Sequence, residues 1–116
     1  MYGREKVLDF TYVDDCADGV VRGIDALVGG RLSRETINLA YGQGATLVDL
    51  VNLIGLSLQK EPNVRYEPAR VGEVTRYVAD ITKARQALGY NPQTPLTAGV
   101  PLSVKWQRQL GALPKA

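Results

Sequence analysis

The residues best suited to chemistry in this sequence are an arginine and a carboxylate on one short loop. Arg70 and Glu73 lie three residues apart, on a segment that Pro68 and Gly72 keep out of regular structure. A planar guanidinium binds phosphate oxygens, and a carboxylate accepts hydrogen bonds from sugar hydroxyls. The spacing therefore favours a ligand-binding loop. The plainer alternative is an exposed ion pair, which is common and contributes little to stability.

The composition is that of one ordinary globular domain over residues 1–116. The chain is 45% hydrophobic and 22% charged, with a net charge of +2 and no cluster of basic residues, so no nucleic-acid partner is expected. There is no histidine, and Cys16 is the only cysteine, which excludes an internal disulfide, a histidine-based metal site and a histidine dyad. No apolar run reaches membrane-spanning length and no secretory signal is present, so we expect a cytoplasmic protein without membrane contact.

Short strand-like runs alternate with longer runs of helical period, which predicts the α/β class. We expect a small mixed domain of short strands and about four helices. The pattern predicts strands at residues 10–13, 36–40, 64–66 and 77–79, and helices that start near Asp14 or Asp15, Thr46, Asp80 and Thr94. Pro101 predicts a kink or a late start in the last helix.

The order of these segments resembles the C-terminal, substrate-binding part of the NAD-dependent epimerase/dehydratase family. These are extended short-chain dehydrogenases that act on nucleotide-sugars. The resemblance runs from about Leu8 to Trp106, and it does not choose among epimerases, dehydratases, decarboxylases and reductases. It rests on the segment 9–15, the strand 37–40 with its glycine loop, the helix at Thr46, the loop 70–73, the segments 80–84 and 88–90, and a closing helix.

The resemblance implies roles for three residues. The arginine that matches Arg70 contacts the substrate phosphates in the family, and the acidic residue that matches Glu73 hydrogen-bonds the nucleotide ribose. Phe10 is either a flat apolar wall for the ligand or a core residue. Many family members have a second phosphate-binding arginine where this chain has Leu8. Binding of a UDP- or dTDP-sugar is therefore expected to be weak and to depend on Arg70.

The family's glycine-rich cofactor turn and its catalytic tyrosine and lysine lie upstream of the matched region. The resemblance thus implies that this chain lacks the N-terminal Rossmann lobe, contains no catalytic, cofactor-binding or metal-binding residue, and is inactive alone. NAD(P) is implied only for a complete family member. Tyr2 and Lys6 have the catalytic spacing by coincidence, because Gly3 lies between them and a strand follows directly.

Two other functions stay open. The first is a non-enzymatic oligomerising or interaction module. The predicted helix over residues 15–28 carries Val20, Val21, Ile24 and Leu27 on one face, and a short chain has little with which to cover them. A missing Rossmann lobe or a second copy of the chain, as in a homo-oligomer, would do so.

The second is a small dinucleotide-binding βαβ unit around Gly42 and Gly44. Its third glycine position is occupied by Leu47, whose side chain opposes close helix–strand packing. Cys16 lies on the apolar helix face with aspartates nearby, which favours a packed thiol over a nucleophile.

Overall fold

The computed structural model describes residues 5–68, 71–72 and 75–111. Over these residues the chain forms a small mixed α/β domain, as predicted. The four helices are α1 (Val13–Val28), α2 (Leu47–Leu58), α3 (Thr82–Leu88) and α4 (Leu96–Gly111), and the three strands are β1 (Val7–Leu8), β2 (Ala45–Thr46) and β3 (Arg76–Tyr77). The central strand β1 runs antiparallel to β2 and parallel to β3.

The four predicted helices are confirmed, and the predicted signals are found at the start of α2 and at the end of α3. The Thr46 side chain accepts a hydrogen bond from the Asp49 amide, and the Asp49 carboxylate accepts one from the Thr46 amide, so α2 begins with a capping box. α3 begins at Thr82 after Ile81, so Asp80 is not its N-cap as predicted. The Asp80 carboxylate still accepts two hydrogen bonds from Thr82, and these bonds lower its pKa. Gly89 ends α3 with a φ of 66°.

Two further predictions about helix ends are wrong. α1 begins at Val13 after Tyr12, so neither Asp14 nor Asp15 caps it, and both lie in its first turn. α4 begins at Leu96, where the Pro95 carbonyl accepts the first helical hydrogen bonds, so the late start predicted from Pro101 is wrong and the kink stays a prediction.

Most of the predicted strands are wrong. Residues 10–12, 36–40 and 64–66 lie outside every described strand, and the strand predicted at 77–79 is shifted to Arg76–Tyr77. An apolar run indicates that residues are buried, but it does not show that a second strand is available to pair with their backbone N–H and C=O groups. The apolar residues Ile37, Leu39 and Ala40 are instead part of the core, around Ala84 and Tyr90.

Packing in the core brings α1 close to residues 37–40. A Cβ atom on Gly19 would lie 2.7 Å from the Leu39 side chain, so any larger residue at this helix position would require Leu39 to shift. The Tyr90 hydroxyl donates a buried hydrogen bond of 2.7 Å to the Ala40 carbonyl. Ala26 and Ala84 are also buried, and these small residues let the helices and the loop approach one another.

The apolar stripe of α1 faces away from this core. Asp15, Gly19 and Ala26 form the buried side of the helix. Val20, Ile24 and Leu27 remain 49%, 53% and 58% exposed. The helix is therefore packed through its small and polar residues, and its large apolar side chains contact solvent, as expected for a face that lacks a partner.

Candidate functional site

The parallel pair of β1 and β3 organises the candidate ligand site. Val7 lies opposite Arg76 and Leu8 opposite Tyr77, and the Val7 amide donates a hydrogen bond of 2.8 Å to the Thr75 carbonyl. Because the strands run in the same direction, the loop that leads into β3 lies at the end of the pair where β1 begins. The residues that follow β1 lie at the opposite end.

The predicted loop residues Arg70 and Glu73 lie outside the described residues. Between them, Val71 and Gly72 form an exposed turn, in which Gly72 has a φ of 83°. This left-handed conformation accounts for glycine at this position and agrees with a loop that leaves regular structure. The assignment of Arg70 and Glu73 to a ligand stays a prediction.

Phe10 follows the other end of β1 and is half-buried. It lines an apolar cavity of about 850 Å³ between α2 and α4. The apolar side chains that share this lining are Leu50, Ile54, Leu58, Leu96, Val100 and Val104. Phe10 is thus neither fully buried nor fully exposed, and its role as a wall for a ligand stays a prediction.

Phe10 and the loop that leads into β3 lie at opposite ends of the β1–β3 pair. Three residues of extended chain span about 10 Å, so Phe10 lies about that far along the chain from Val7, whose amide is hydrogen-bonded to Thr75. Leu8 lies between the two ends and offers no charge to a phosphate.

Asp9 joins three segments at this site, and sequence reasoning treated it only as part of a motif. Its carboxylate accepts hydrogen bonds of 2.9 Å from the amides of Tyr41 and Gly42 and one of 3.2 Å from the amide of Ala79. The only signal in the sequence is a carboxylate between the apolar residues Leu8 and Phe10. Such a residue needs partners when it is partly buried.

Comparison with known proteins finds similarity to the same part of the family that the sequence resembles. UDP-glucose 4-epimerase of Rhizobium meliloti is 37% identical over 100 residues, which cover 86% of this chain and 30% of the epimerase. The structure of UDP-glucose 4-epimerase from Stenotrophomonas maltophila, with bound NAD and formylated UDP-arabinopyranose, superposes with a TM-score of 0.83 at 30% identity, over 92% of this chain and 32% of that one. The chain matches the C-terminal part of NAD-dependent epimerase/dehydratases.

A third relative agrees with this assignment. UDP-glucose 4-epimerase from Thermotoga maritima, solved with UDP-glucose, superposes with a TM-score of 0.82 at 29% identity, over 95% of this chain and 34% of that one. The chain therefore spans about 30% of the length of the epimerases that it matches. No protein-family model matches it.

The glycine turn at Gly42 and Gly44 does not fit a dinucleotide. The amides of Tyr41 and Gly42, which a phosphate would need, already donate to Asp9. The two flanking strands of a βαβ unit are absent from residues 36–40 and 64–66, which the structure describes. Packing accounts for both glycines, because a Cβ atom on Gly42 would lie 3.0 Å from Ile81 and one on Gly44 would collide with Val7.

Other candidate chemistry is sparse in the described part of the chain. No group of three or more acidic, histidine or cysteine residues there is arranged to hold a metal ion. Cys16 is half-buried on α1, in agreement with a packed thiol. Tyr2 lies outside the described residues. No described helix is both long and apolar enough to cross a bilayer.

Proposed function

We propose that residues 1–116 form a nucleotide-sugar-binding unit of the type found in NAD-dependent epimerase/dehydratases, with a UDP- or dTDP-sugar as the ligand. One observation carries this proposal: Phe10 follows strand β1 of the β1–β3 pair and lines an apolar cavity, and the loop that leads into β3 includes the exposed turn at Val71 and Gly72. The similarity to the C-terminal part of epimerases supports the same ligand class.

Each residue of the proposed site has a separate role. The guanidinium of Arg70 binds the diphosphate through two parallel hydrogen bonds, and the carboxylate of Glu73 accepts from the ribose hydroxyls. Phe10 provides a flat apolar wall for a ring of the ligand. Because Leu8 supplies no second cation, Arg70 carries most of the electrostatic attraction and the affinity is weak.

The 116 residues alone bind substrate but do not turn it over. Hydride transfer requires a bound nicotinamide cofactor, and the glycine turn of this chain has its amides engaged by Asp9. In an assembly with a cofactor-binding lobe, this unit would hold the nucleotide diphosphate while the lobe supplied the redox chemistry and the proton-transfer groups.

Arg70 variants test the proposed site. In NMR titrations with UDP-glucose, Arg70→Ala should abolish the chemical-shift changes that the unchanged protein shows, because the phosphates lose their main partner. Arg70→Lys should weaken binding by about tenfold, because an ammonium does not reproduce the bidentate contact. Arg34 is exposed and lies in the segment between α1 and β2, so Arg34→Ala is the matched control and should bind normally. Equal losses from Arg70→Ala and Arg34→Ala would indicate nonspecific charge attraction and contradict the site.

A second candidate function is that of an assembly module. The observation that favours it is the apolar stripe of α1, which faces solvent on the side opposite the buried residues Gly19 and Ala26. Exposed apolar surface of this kind is commonly buried by a partner. In this candidate the partner is a second copy of the chain, arranged about a two-fold axis.

A further inference from the structure

We propose that the cavity between α2 and α4 binds a fatty-acid carboxylate, with the alkyl chain between the two helices and the carboxylate at Lys105 and Arg108. Neither the sequence motifs nor the similarity to epimerases assigns this cavity a ligand of that kind. Phe10 is one of the residues that line it, but the remaining apolar lining comes from α2 and α4. The inference therefore does not rest on the nucleotide-sugar function.

The first argument is the apolar lining of the cavity. Aliphatic side chains line it on both helices, at intervals of four residues along each helix. They are Leu50, Ile54 and Leu58 on α2 and Leu96, Val100 and Val104 on α4. Residues four apart share one face of a helix, so each set forms a continuous apolar ridge. The cavity volume of about 850 Å³ lies within the range of roughly 300–1,000 Å³ that is typical of small-molecule sites.

The second argument is the length of the cavity along α4. Its lining on this helix includes both Leu96 and Gly111, which are the first and the last residue of α4. A helix of 16 residues is about 24 Å long. The alkyl chains of one bilayer leaflet span about 15 Å, which is half the thickness of the hydrocarbon core. An extended alkyl chain therefore fits along α4 and leaves room for a head group.

The third argument is the charge beside the cavity. Val104 and Arg108 line both this cavity and an adjoining one of about 400 Å³, which Lys105 also lines. Lys105 and Arg108 are three residues apart and so lie on neighbouring positions of one helix face. Among the described residues, no acidic side chain lines either cavity, and none forms an ion pair with either cation. An anionic head group would thus be attracted by two cations and repelled by no carboxylate.

The position of the charges favours a small ligand over a protein helix. A protein partner is normally surrounded by polar contacts around the whole rim of its interface. Here both cations lie on α4, and the only polar side chain that α2 contributes to the two linings is Ser57. A ligand with an apolar chain and one charged end matches an apolar cavity with charge at one position.

The first test compares two ligands with the same alkyl chain and opposite charge. In calorimetric titrations of the 116-residue chain, dodecanoate below its micelle concentration should bind saturably. Dodecyltrimethylammonium should bind at least about tenfold more weakly. Arg108→Glu should weaken dodecanoate binding by about tenfold, because the carboxylate then meets a like charge.

Arg34→Glu is the control for this charge reversal. Arg34 is exposed in the segment between α1 and β2 and lines neither cavity. Its reversal should leave the affinity for dodecanoate within about twofold. Equal losses from Arg108→Glu and Arg34→Glu, or no saturable binding of dodecanoate by the unchanged protein, would overturn the inference.

A second pair of variants tests the location of the alkyl chain. Ser103 lines the cavity and is exposed, so Ser103→Trp should fill the cavity without disturbing the core. It should lower the affinity for dodecanoate by about tenfold. Leu102 precedes it on α4, is 46% exposed and lines neither cavity, so Leu102→Trp is the matched control. Equal effects of the two tryptophans would contradict binding between the helices.

Two measurements separate this site from other uses of apolar surface. In NMR spectra, dodecanoate should shift the methyl signals of Val100 and Val104 more than those of Val20 and Ile24 on the exposed stripe of α1. Equal shifts on the two surfaces would indicate detergent-like adsorption and overturn the inference. Light scattering tests a second copy as the occupant. A dimer that Ser103→Trp dissociates, in a protein that does not bind dodecanoate, would identify the cavity as an interface between copies and also overturn it.

Discussion

Tyr90 is the largest fully buried side chain in the described part of the chain, and its hydroxyl has one specific partner. It donates a hydrogen bond of 2.7 Å to the Ala40 carbonyl. Tyr90→Phe keeps the ring but leaves that carbonyl without its donor, so the free energy of unfolding should fall by roughly 1–3 kcal/mol. Urea denaturation measures this change. An unchanged stability would show that the carbonyl finds another donor.

Tyr90→Phe should also change how the free energy of unfolding depends on pH. Burial raises the pKa of Tyr90, and the nearby carboxylate of Asp15 adds to the effect. The folded state thus favours the neutral phenol, whose contribution to stability is complete below the ordinary tyrosine pKa near 10 and is lost as the pH rises through the raised value. Tyr90→Phe should lose less stability than the unchanged protein between pH 9 and about 11. Parallel losses would contradict this assignment.

Two aspartates show what sequence reasoning could not locate at the residue scale. Asp15 was predicted as a helix cap and Asp9 as part of a strand motif, but each carboxylate binds backbone amides that lie more than 30 residues away. A cap has a local spacing that the sequence displays, and Thr46 with Asp49 was predicted correctly for that reason. A hydrogen bond between a side chain and a backbone amide far away in the sequence produces no such local motif.

At the element scale, α1 carries the prediction about assembly. Its stripe of Val20, Ile24 and Leu27 is about half exposed in a single chain, and we expect a dimer that covers it. Ile24→Asp should dissociate or unfold the dimer, because an unpaired charge in the contact would lose its hydration without compensation. Light scattering across a concentration series measures the mass. Leu56 is 75% exposed on α2, so Leu56→Asp is the control and should stay dimeric.

A monodisperse monomer at high concentration would refute the dimer. The stripe would then be available to a different partner, or would be covered by a rearrangement of this chain. Binding of a nucleotide-sugar does not depend on this outcome, because Phe10 and the β1–β3 pair do not include the stripe of α1.

The elements also show why helices were predicted better than strands. Each helix has a local period and local end signals, such as the Thr46 capping box and Gly89. The residues of β1 pair with residues about 40 and 70 positions away, and no local pattern specifies such partners. The apolar residues Ile37, Leu39 and Ala40 were predicted as part of a strand, whereas they pack in or against the core without forming one.

At the scale of the whole molecule, the chain exposes more surface than a compact monomer of its size. Its accessible area is 8502 Å² at 12.6 kDa, whereas a compact monomer of that mass exposes about 6,200 Å². The exposed stripe of α1 contributes to this excess.

The α/β class and the resemblance to the family were predicted from the sequence, because both depend on the order of the segments along the chain. The ligand roles of Arg70 and Glu73 stay predictions, because both residues lie outside the described residues.

Parallel titrations with UDP-glucose and NAD⁺, followed by NMR, test the central claim most directly. Both ligands contain a diphosphate, so attraction to charge alone would not separate them. UDP-glucose should produce saturable shifts at Phe10 and at residues 71–79, whereas NAD⁺ should show no saturable binding below about the millimolar range. Saturable NAD⁺ binding in that range, or no response of Phe10 and the loop to UDP-glucose, would contradict a nucleotide-sugar-binding unit.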